Sequence, residues 1–169
     1  GTRFFAAAAD AAVINHMFTE ADPMEPLRVA ACENGFSPEE AIAAIRRHPG
    51  NDIGSKAGLQ FETVVDGDVF AAGPFQFLCI ATPGHTQGHI CLYEADHKLL
   101  ISGDHILGDI SPNITYYWGE QNPLQQFCDS LRLIEGLEVK KVLPGHRRLF
   151  DDCHGRIGEL FTHHRHRLD

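Results

Sequence analysis

The spacing of apolar residues predicts a helical first third of the chain. Residues 7–18 are alanine-rich and contain no helix breaker, which favours a helix, and a second short helix is expected at about 27–34. In S-P-E-E (37–40) the serine caps a helix, the proline occupies its first position and the last glutamate completes a capping box. That helix should run to about Arg47, and the glycine-rich stretch 49–60 should be a loop.

After residue 60 the pattern changes to short apolar runs that are typical of strands. The turn sequences D-G-D (66–68) and A-D (95–96) predict hairpins between neighbouring strands. N-P at 122–123 begins a stretch with apolar residues three or four apart, which predicts a helix, and a short strand and a last helix follow. The predicted strands are 63–65, 69–71, 75–82, 90–94, 99–102 and 141–143, and the last helix spans about 152–167.

Length and composition are those of one globular domain. The 169 residues are expected to form a single domain, mostly helical at 1–60 and strand-rich at 61–169. The net charge of −9 argues against general binding of nucleic acid, and no apolar run approaches the roughly 20 residues of a membrane span. Five cysteines without a C-x-x-C pair indicate reduced, mostly buried thiols, hence a cytoplasmic protein.

Three turns share one pattern, in which a short apolar strand is followed by a glycine and then by a metal-binding side chain. They are T-P-G-H (His85), S-G-D-H (Asp104, then His105) and L-P-G-H (His146). A glycine lets the chain turn sharply and leaves the next side chain at the edge of the sheet. Each turn alone fits an ordinary exposed loop. Together they predict convergence at one edge, with ligands that Zn²⁺, Fe and Mn accept.

The strings T-P-G-H-T-Q-G-H, S-G-D-H and V-L-P-G-H resemble, in order and spacing, the motifs of the metallo-β-lactamase-fold hydrolases. The resemblance covers about residues 60–169. S-P-N-I (111–114) followed by Trp118 is similar to the lactamase-B2-like branch, within the group that includes glyoxalase II-type members. The resemblance implies an α/β fold, the αββα sandwich, of which the chain would hold the C-terminal portion, about one sheet with its flanking helices.

The resemblance also implies a binuclear metal site. His85 would bind the first ion, Asp104 would bridge both ions, and His146 would bind the second. Two divalent ions, Zn²⁺ by preference and Fe or Mn as alternatives, would supply a metal-bound hydroxide. The implied reaction is hydrolysis of an ester, thioester, lactam or phosphodiester.

Four further residues are candidates for supporting the ligands or contacting substrate. His89 is expected to support its turn rather than to bind metal. His105 would orient the preceding aspartate or touch substrate. Asn113 and Trp118 lie in the loop after that aspartate, where contact with substrate and ordinary loop packing are both open.

The sequence departs from the family at its strongest motif, H-x-H-x-D-H, which is absent. The nearest string, H-R-H-R-L-D (164–169), lacks the last histidine and places the acid one position late; the histidines at 163, 164 and 166 are expected to form a solvated helix end. G-T-R-F-F at residues 1–5 resembles the segment that follows the motif, so residue 1 is expected to lie just after it. This chain is then expected to bind metal weakly or not at all and to be inactive alone.

Two functional classes remain open. The parent protein is expected to be a metal-dependent hydrolase of a small ester or thioester, with RNA as an open alternative substrate. The second class is a degenerate family member that serves as a non-catalytic binding or scaffold module. Because one sheet face normally packs on the absent half, a dimer or a tight crystal partner is expected to cover that face. No membrane partner is expected.

Overall fold

Two compact units make up the part of the chain that is described in the computed structural model. The first unit is residues 1–4 with 11–61, and the second is residues 5–10 with 62–169. The described residues are 2–19, 22, 24–46, 59–114 and 122–168. Trp118, Arg47 and most of the predicted loop at 49–60 lie outside them. Whether the chain is a single domain stays a prediction.

The three helices predicted for the first third are present as α1 (Ala8–Thr19), α2 (Glu25–Glu33) and α3 (Pro38–Arg46). Helix α2 begins two residues earlier than predicted because a proline is tolerated in a first helical turn. The capping box of α3 is confirmed. The backbone N–H of Ser37 donates to the Glu40 carboxylate at 2.8 Å, and the Glu40 N–H donates to the Ser37 hydroxyl at 3.2 Å.

A small two-stranded sheet joins β1 (Phe4–Ala6) to β2 (Phe61–Thr63). The strand predicted at 63–65 therefore lies two residues earlier. The strand predicted near the start of the sequence therefore pairs with a segment that lies later in the sequence. Just past the paired residues, the Val64 N–H donates to the Ala6 carbonyl at 3.1 Å.

The hairpin predicted at D-G-D (66–68) is wrong, because β2 belongs to the small sheet and does not pair with the next strand. Asp66 and Asp68 instead bind the chain around residues 79–81. The Asp66 carboxylate accepts the Ala81 N–H at 2.8 Å, and the Asp68 carbonyl accepts the Cys79 N–H at 2.7 Å. Acidic turn residues can accept backbone N–H groups from elsewhere as readily as they close a hairpin.

A five-stranded sheet forms the centre of the second unit, in the order β3-β4-β5-β6-β7. All neighbours are antiparallel except β6 and β7, which are parallel and are joined through helix α4. The hairpin predicted at A-D (95–96) is confirmed. The strands are β3 (Val69–Ala72), β4 (Phe75–Ala81), β5 (Ile90–Glu94), β6 (Leu99–Gly103) and β7 (Lys141–Pro144); the helices are α4 (Pro123–Glu135) and α5 (Cys153–Leu168).

The hydrophobic core lies between one face of this sheet and helices α4 and α5. The apolar spacing predicted for α4 buries Phe127, Leu131 and Ile134 completely. The Asn122 side chain caps the helix by accepting the Gln125 N–H at 3.0 Å. The sheet contributes Ile80, Cys91, Leu100 and Val142, and α5 contributes Cys153, Ile157 and Leu160.

The other face of the sheet carries a cross-strand apolar row in which only Cys79 is buried. Leu92, Ile101 and Leu143 continue the row and are half-buried. All five cysteines are free thiols, three buried and two partly buried, as the sequence predicts. Among the residues described, no helix is long and apolar enough to cross a membrane.

Candidate metal centre

The three predicted ligand turns meet at one edge of the five-stranded sheet. Strand β4 ends four residues before His85, β6 ends directly before Asp104, and β7 ends two residues before His146. One carboxylate oxygen of Asp104, Oδ2, lies 3.5 Å from Nε2 of His85 and 3.2 Å from Nε2 of His146. The side chains of His85 and Asp104 are 23% and 27% exposed, whereas that of His146 is 65% exposed. The structure therefore brings all three residues together around a single oxygen.

The loop after Asp104 fixes the tautomer of His85. Nδ1 of His85 lies 2.7 Å from the carbonyl oxygen of Asn113. A carbonyl can only accept, so Nδ1 carries a proton, and Nε2 is the ring nitrogen that faces Asp104. Metal-binding histidines commonly donate their other ring nitrogen in this way. Asn113, a substrate-loop candidate in the sequence, acts here through its main chain, which no side-chain pattern could indicate.

His89 supports the aspartate rather than joining the ligand cluster. The backbone N–H of Asp104 donates to Nε2 of His89 at 3.2 Å, so the proton of the neutral ring is on Nδ1. Nδ1 then donates to the Thr82 hydroxyl at 2.8 Å. The Thr82 hydroxyl donates in turn to the Cys91 sulfur at 3.4 Å. These three hydrogen bonds form a continuous series, which holds the imidazole of His89 in a single orientation.

Burial keeps His89 neutral. It is the largest cause that lowers the pKa of His89 to about 4; His85 adds to the effect, while Asp10 and Asp104 oppose it. A neutral ring is what acceptance of the Asp104 N–H requires. A supporting role for His89 stays a prediction, and these contacts are the geometry on which it depends.

His105 is completely buried and packs between two rings. Its centroid lies 5.8 Å from that of His89 and 4.9 Å from that of Phe127. Among the described residues neither ring nitrogen has a well-formed hydrogen bond, although the backbone of Ser130 lies near enough to raise the pKa slightly. Burial, the largest cause, lowers the pKa of His105 to about 3. The ring contacts His89 and Phe127 and is completely buried in this structure. The two roles considered for His105 stay predictions.

Two glycines of the turns are required by close packing. A side chain at Gly103, whose φ is +50°, would place its Cβ 2.8 Å from Nε2 of His89. A side chain at Gly84, whose φ is +140°, would collide with Cβ of Phe127 at 2.5 Å. The Ser130 hydroxyl on α4 also donates to the Pro83 carbonyl at 2.9 Å. The turn that carries His85 is therefore held against α4.

Asp10, in the first turn of α1, is a supporting residue that sequence analysis missed. Its carboxylate accepts the Thr86 hydroxyl at 2.6 Å and the Gly88 N–H at 2.8 Å. All three residues belong to the second unit. The only signal in the sequence is an acid among alanines, which by itself predicts a favourable charge at a helix start and nothing more.

The sequence predicted that the histidines at the end of α5 are exposed to solvent, but two of the three are half-buried. His166 is exposed, but His163 and His164 are half-buried, and His164 lies against Phe127 with ring centroids 5.4 Å apart. Burial is the largest cause that lowers the pKa of His164, followed by the neighbouring His163 and Arg167. Phe127 lies on α4, far from His164 in sequence, so the local charge pattern could not reveal this contact.

The structure brings the three predicted ligands close together without forming a complete site. Among the described residues, no group of three or more His, Cys, Asp or Glu side chains is placed to hold a metal ion. That His85, Asp104 and His146 bind metal stays a prediction, and an ion held there would need further ligands.

Comparison with known proteins extends these observations. Residues 15–146 match the sequence profile of the metallo-beta-lactamase superfamily. The human acyl-coenzyme A thioesterase MBLAC2 is 41% identical over 91 residues, which are 50% of this chain and 30% of that protein. The atrochrysone carboxyl ACP thioesterase of Aspergillus fumigatus is 25% identical over 96 residues, 57% of this chain and 28% of that protein.

A solved structure supports the fold. A metallo-beta-lactamase family protein of Thermus thermophilus superimposes with a TM-score of 0.81 and 25% identity, over 99% of this chain and 54% of that one. The matches thus span about 30% of the two curated relatives' length and about half of the solved chain. The superfamily profile covers most of the sequence, the mixed α/β fold agrees, and the three turns meet as the family's motifs imply. The chain belongs to the metallo-beta-lactamase superfamily.

Proposed function

We propose that this chain supplies one side of the two-metal site of a hydrolase that cleaves thioesters. The observation that carries the proposal is the shared oxygen, Oδ2 of Asp104, which faces Nε2 of both His85 and His146. That arrangement suits two divalent cations, Zn²⁺ by preference and Fe or Mn as alternatives. When bound, such ions lower the pKa of water and polarise a carbonyl group.

The names of two relatives favour a thioester as substrate. The human relative is named for acyl-coenzyme A and the Aspergillus fumigatus relative for an acyl carrier protein. The bond common to both names is a thioester, although the carriers differ. The net charge of −9 weighs against RNA, the open alternative.

The residues around the ligands hold them in place before substrate arrives. The Asn113 carbonyl accepts a hydrogen bond from Nδ1 of His85, which orients the ring with Nε2 towards Asp104. His89 anchors the main chain of Asp104. Ligands fixed in this way lose little conformational freedom on metal binding, which favours affinity.

The first experiment tests the metal site in this chain alone. With one histidine and a shared carboxylate for each ion, we expect weak Zn²⁺ binding by isothermal titration calorimetry. Asp104→Asn should abolish it. Asp96→Asn removes the same charge from the turn between β5 and β6 and should leave it unchanged. Two tightly bound equivalents would contradict the expected weakness, and binding that survives Asp104→Asn would contradict the site itself.

The second experiment tests the reaction. This chain alone should not hydrolyse substrate above background. A longer chain that carries H-x-H-x-D-H before residue 1 should hydrolyse acyl-coenzyme A in preference to a lactam or a phosphodiester, and Asp104→Asn should remove that activity. Preference for another bond would overturn the thioester assignment. No hydrolysis by any longer chain, or a scrambled upstream motif, would favour the non-catalytic scaffold module.

A further inference from the structure

A cavity of about 690 Å³ lies in the second unit, beside the loop that fixes His85. Among the described residues, its lining comes from the loop 111–114, the start of α4 at 122–124 and the end of α5, where His163, His164 and Arg167 face it. Its volume is within the range of small-molecule sites, roughly 300–1,000 Å³. No motif of the metal centre accounts for it.

The cavity is connected to the candidate metal centre through the loop 111–114. The Asn113 carbonyl that holds His85 belongs to the residues lining the cavity. Helix α4, which forms another wall, packs against the turn of His85 through the contact between Phe127 and Gly84. A molecule in the cavity would therefore lie next to the ligand turn.

The chemistry of the lining favours an anion. Arg167 and two histidines line the cavity, and the described lining residues include no carboxylate, although the chain has 23 acidic residues and a net charge of −9. Nε2 of His164 is buried and has no hydrogen-bond partner among the described residues. A buried polar nitrogen normally has a partner, and an anionic oxygen in the cavity would supply one.

We propose that this cavity binds the phosphate group on the thiol carrier of the thioester substrate, with the guanidinium of Arg167 as the cation and the rings of His163 and His164 beside it in the wall. The inference rests on the thioester hydrolysis proposed above. Coenzyme A and acyl carrier proteins present their thiols on the same pantetheine arm, whose far end bears a phosphate. A guanidinium and imidazoles are suitable donors for that group.

Binding of the free thiol carriers to the 169-residue chain tests the proposal without any catalysis. By isothermal titration calorimetry, we expect 4′-phosphopantetheine to bind at least about tenfold more tightly than pantetheine, a difference that one charge-assisted contact supplies. Arg167→Gln should remove the difference. Arg165→Gln is the matched control, because Arg165 carries the same charge on the same helix, is exposed and does not line the cavity.

Equal affinity for pantetheine and 4′-phosphopantetheine would overturn the proposal, as would the absence of binding or an equal loss in both arginine variants. Coenzyme A, as a third ligand, distinguishes the two carriers of the pantetheine arm, the free coenzyme and a carrier protein. Tighter binding of coenzyme A than of 4′-phosphopantetheine identifies the free coenzyme as carrier, and equal binding identifies the arm of a carrier protein. An Arg167-dependent phosphate preference in a protein whose longer chain hydrolyses no thioester would refute the proposed function while retaining the phosphate site.

Discussion

At the scale of the residue, the turn that carries His85 depends on side chains far away in sequence. Asp10 precedes Thr86 by 76 positions and accepts its hydroxyl, and it also accepts the Gly88 N–H. His89 is held at one nitrogen by Thr82 and holds Asp104 with the other. The glycine before Asp104 makes room for that imidazole. The ligands are thus positioned by contacts that no local motif contains.

Asp10→Asn should destabilise the fold by about 1.5–3 kcal/mol, the usual contribution of hydrogen bonds to a charged group. The amide would present an NH₂ group to one of the two donors that the carboxylate now accepts. Urea unfolding measures the loss. Asp22→Asn, which removes an exposed ion pair with Arg28, should cost less than about 1 kcal/mol. Equal losses in the two variants would show that the Asp10 contacts contribute nothing specific.

Gly103→Ala should be more destabilising than Gly73→Ala, and the two form a matched pair. Both glycines have positive φ, +50° and +60°, so both variants carry the left-handed backbone penalty of about 1–2 kcal/mol. Only at Gly103 does the new methyl group meet Nε2 of His89, at 2.8 Å; nothing lies within 4 Å at Gly73. Equal losses by urea unfolding would mean that the His89 contact is readily relieved.

At the scale of the element, local signals predicted the helices better than they predicted strand pairing. The caps of α3 and α4 act within four residues, so their sequences suffice to predict the helix starts. The pairing of β1 with β2 and the binding of D-G-D (66–68) to β4 join distant segments. A strand pattern specifies which face is apolar but not which strand edge lies next to it.

The capping box of α3 gives a prediction with a defined pH dependence. Hydrogen bonds from Ser37 lower the pKa of the Glu40 carboxyl below 4.5. A lowered folded-state pKa stabilises the fold above the unfolded pKa, and that stabilisation is lost as pH falls through the folded value. At pH 7, Glu40→Gln should lower the urea midpoint more than Glu39→Gln does, since both lie in the first turn but Glu40 completes the box.

The difference between the Glu40 and Glu39 variants should begin to shrink as the pH falls below about 4.5, the ordinary pKa of the group, and disappear once the pH has fallen through the lower folded-state pKa. Parallel urea titrations at several pH values measure it. A difference that persists at low pH would show that the carboxylate charge is not its source.

At the scale of the whole molecule, the face of the sheet opposite α4 and α5 is the surface on which we expect a partner to bind. In its apolar row Cys79 is buried, while Leu92, Ile101 and Leu143 remain partly exposed to solvent. An apolar row of this kind is typical of a face that another layer covers. The expectation of a partner for this face stays a prediction.

We expect the chain to dimerise, or to exchange a segment with a second copy, in a concentration-dependent way that light scattering detects. Ile101→Gln should weaken the association, because it places an amide in the row. Leu133→Gln is the control, since Leu133 is 51% exposed on α4 and lies away from this face. Circular dichroism confirms that both variants fold. A monomer at all concentrations would contradict the prediction.

The sequence by itself determined the mixed α/β class, the starts of α3 and α4, and the three strand–glycine–ligand turns. It also showed the absence of H-x-H-x-D-H. These features depend on residues close together in the chain, where capping, turn formation and periodicity operate. The shared pattern of the turns predicted that they converge, and in the structure they do because β4, β6 and β7 run in the same direction and end at one edge of the sheet.

Only the tertiary structure decided what surrounds those turns. The carbonyl of Asn113 on His85, the carboxylate of Asp10 under the turn, and the burial of His164 against Phe127 join residues that are far apart in sequence. Burial and hydrogen bonding depend on which groups are brought together, and a local pattern of residue types does not specify its distant partners. The cavity next to the loop exists for the same reason, because its described lining residues come from segments that are far apart in sequence.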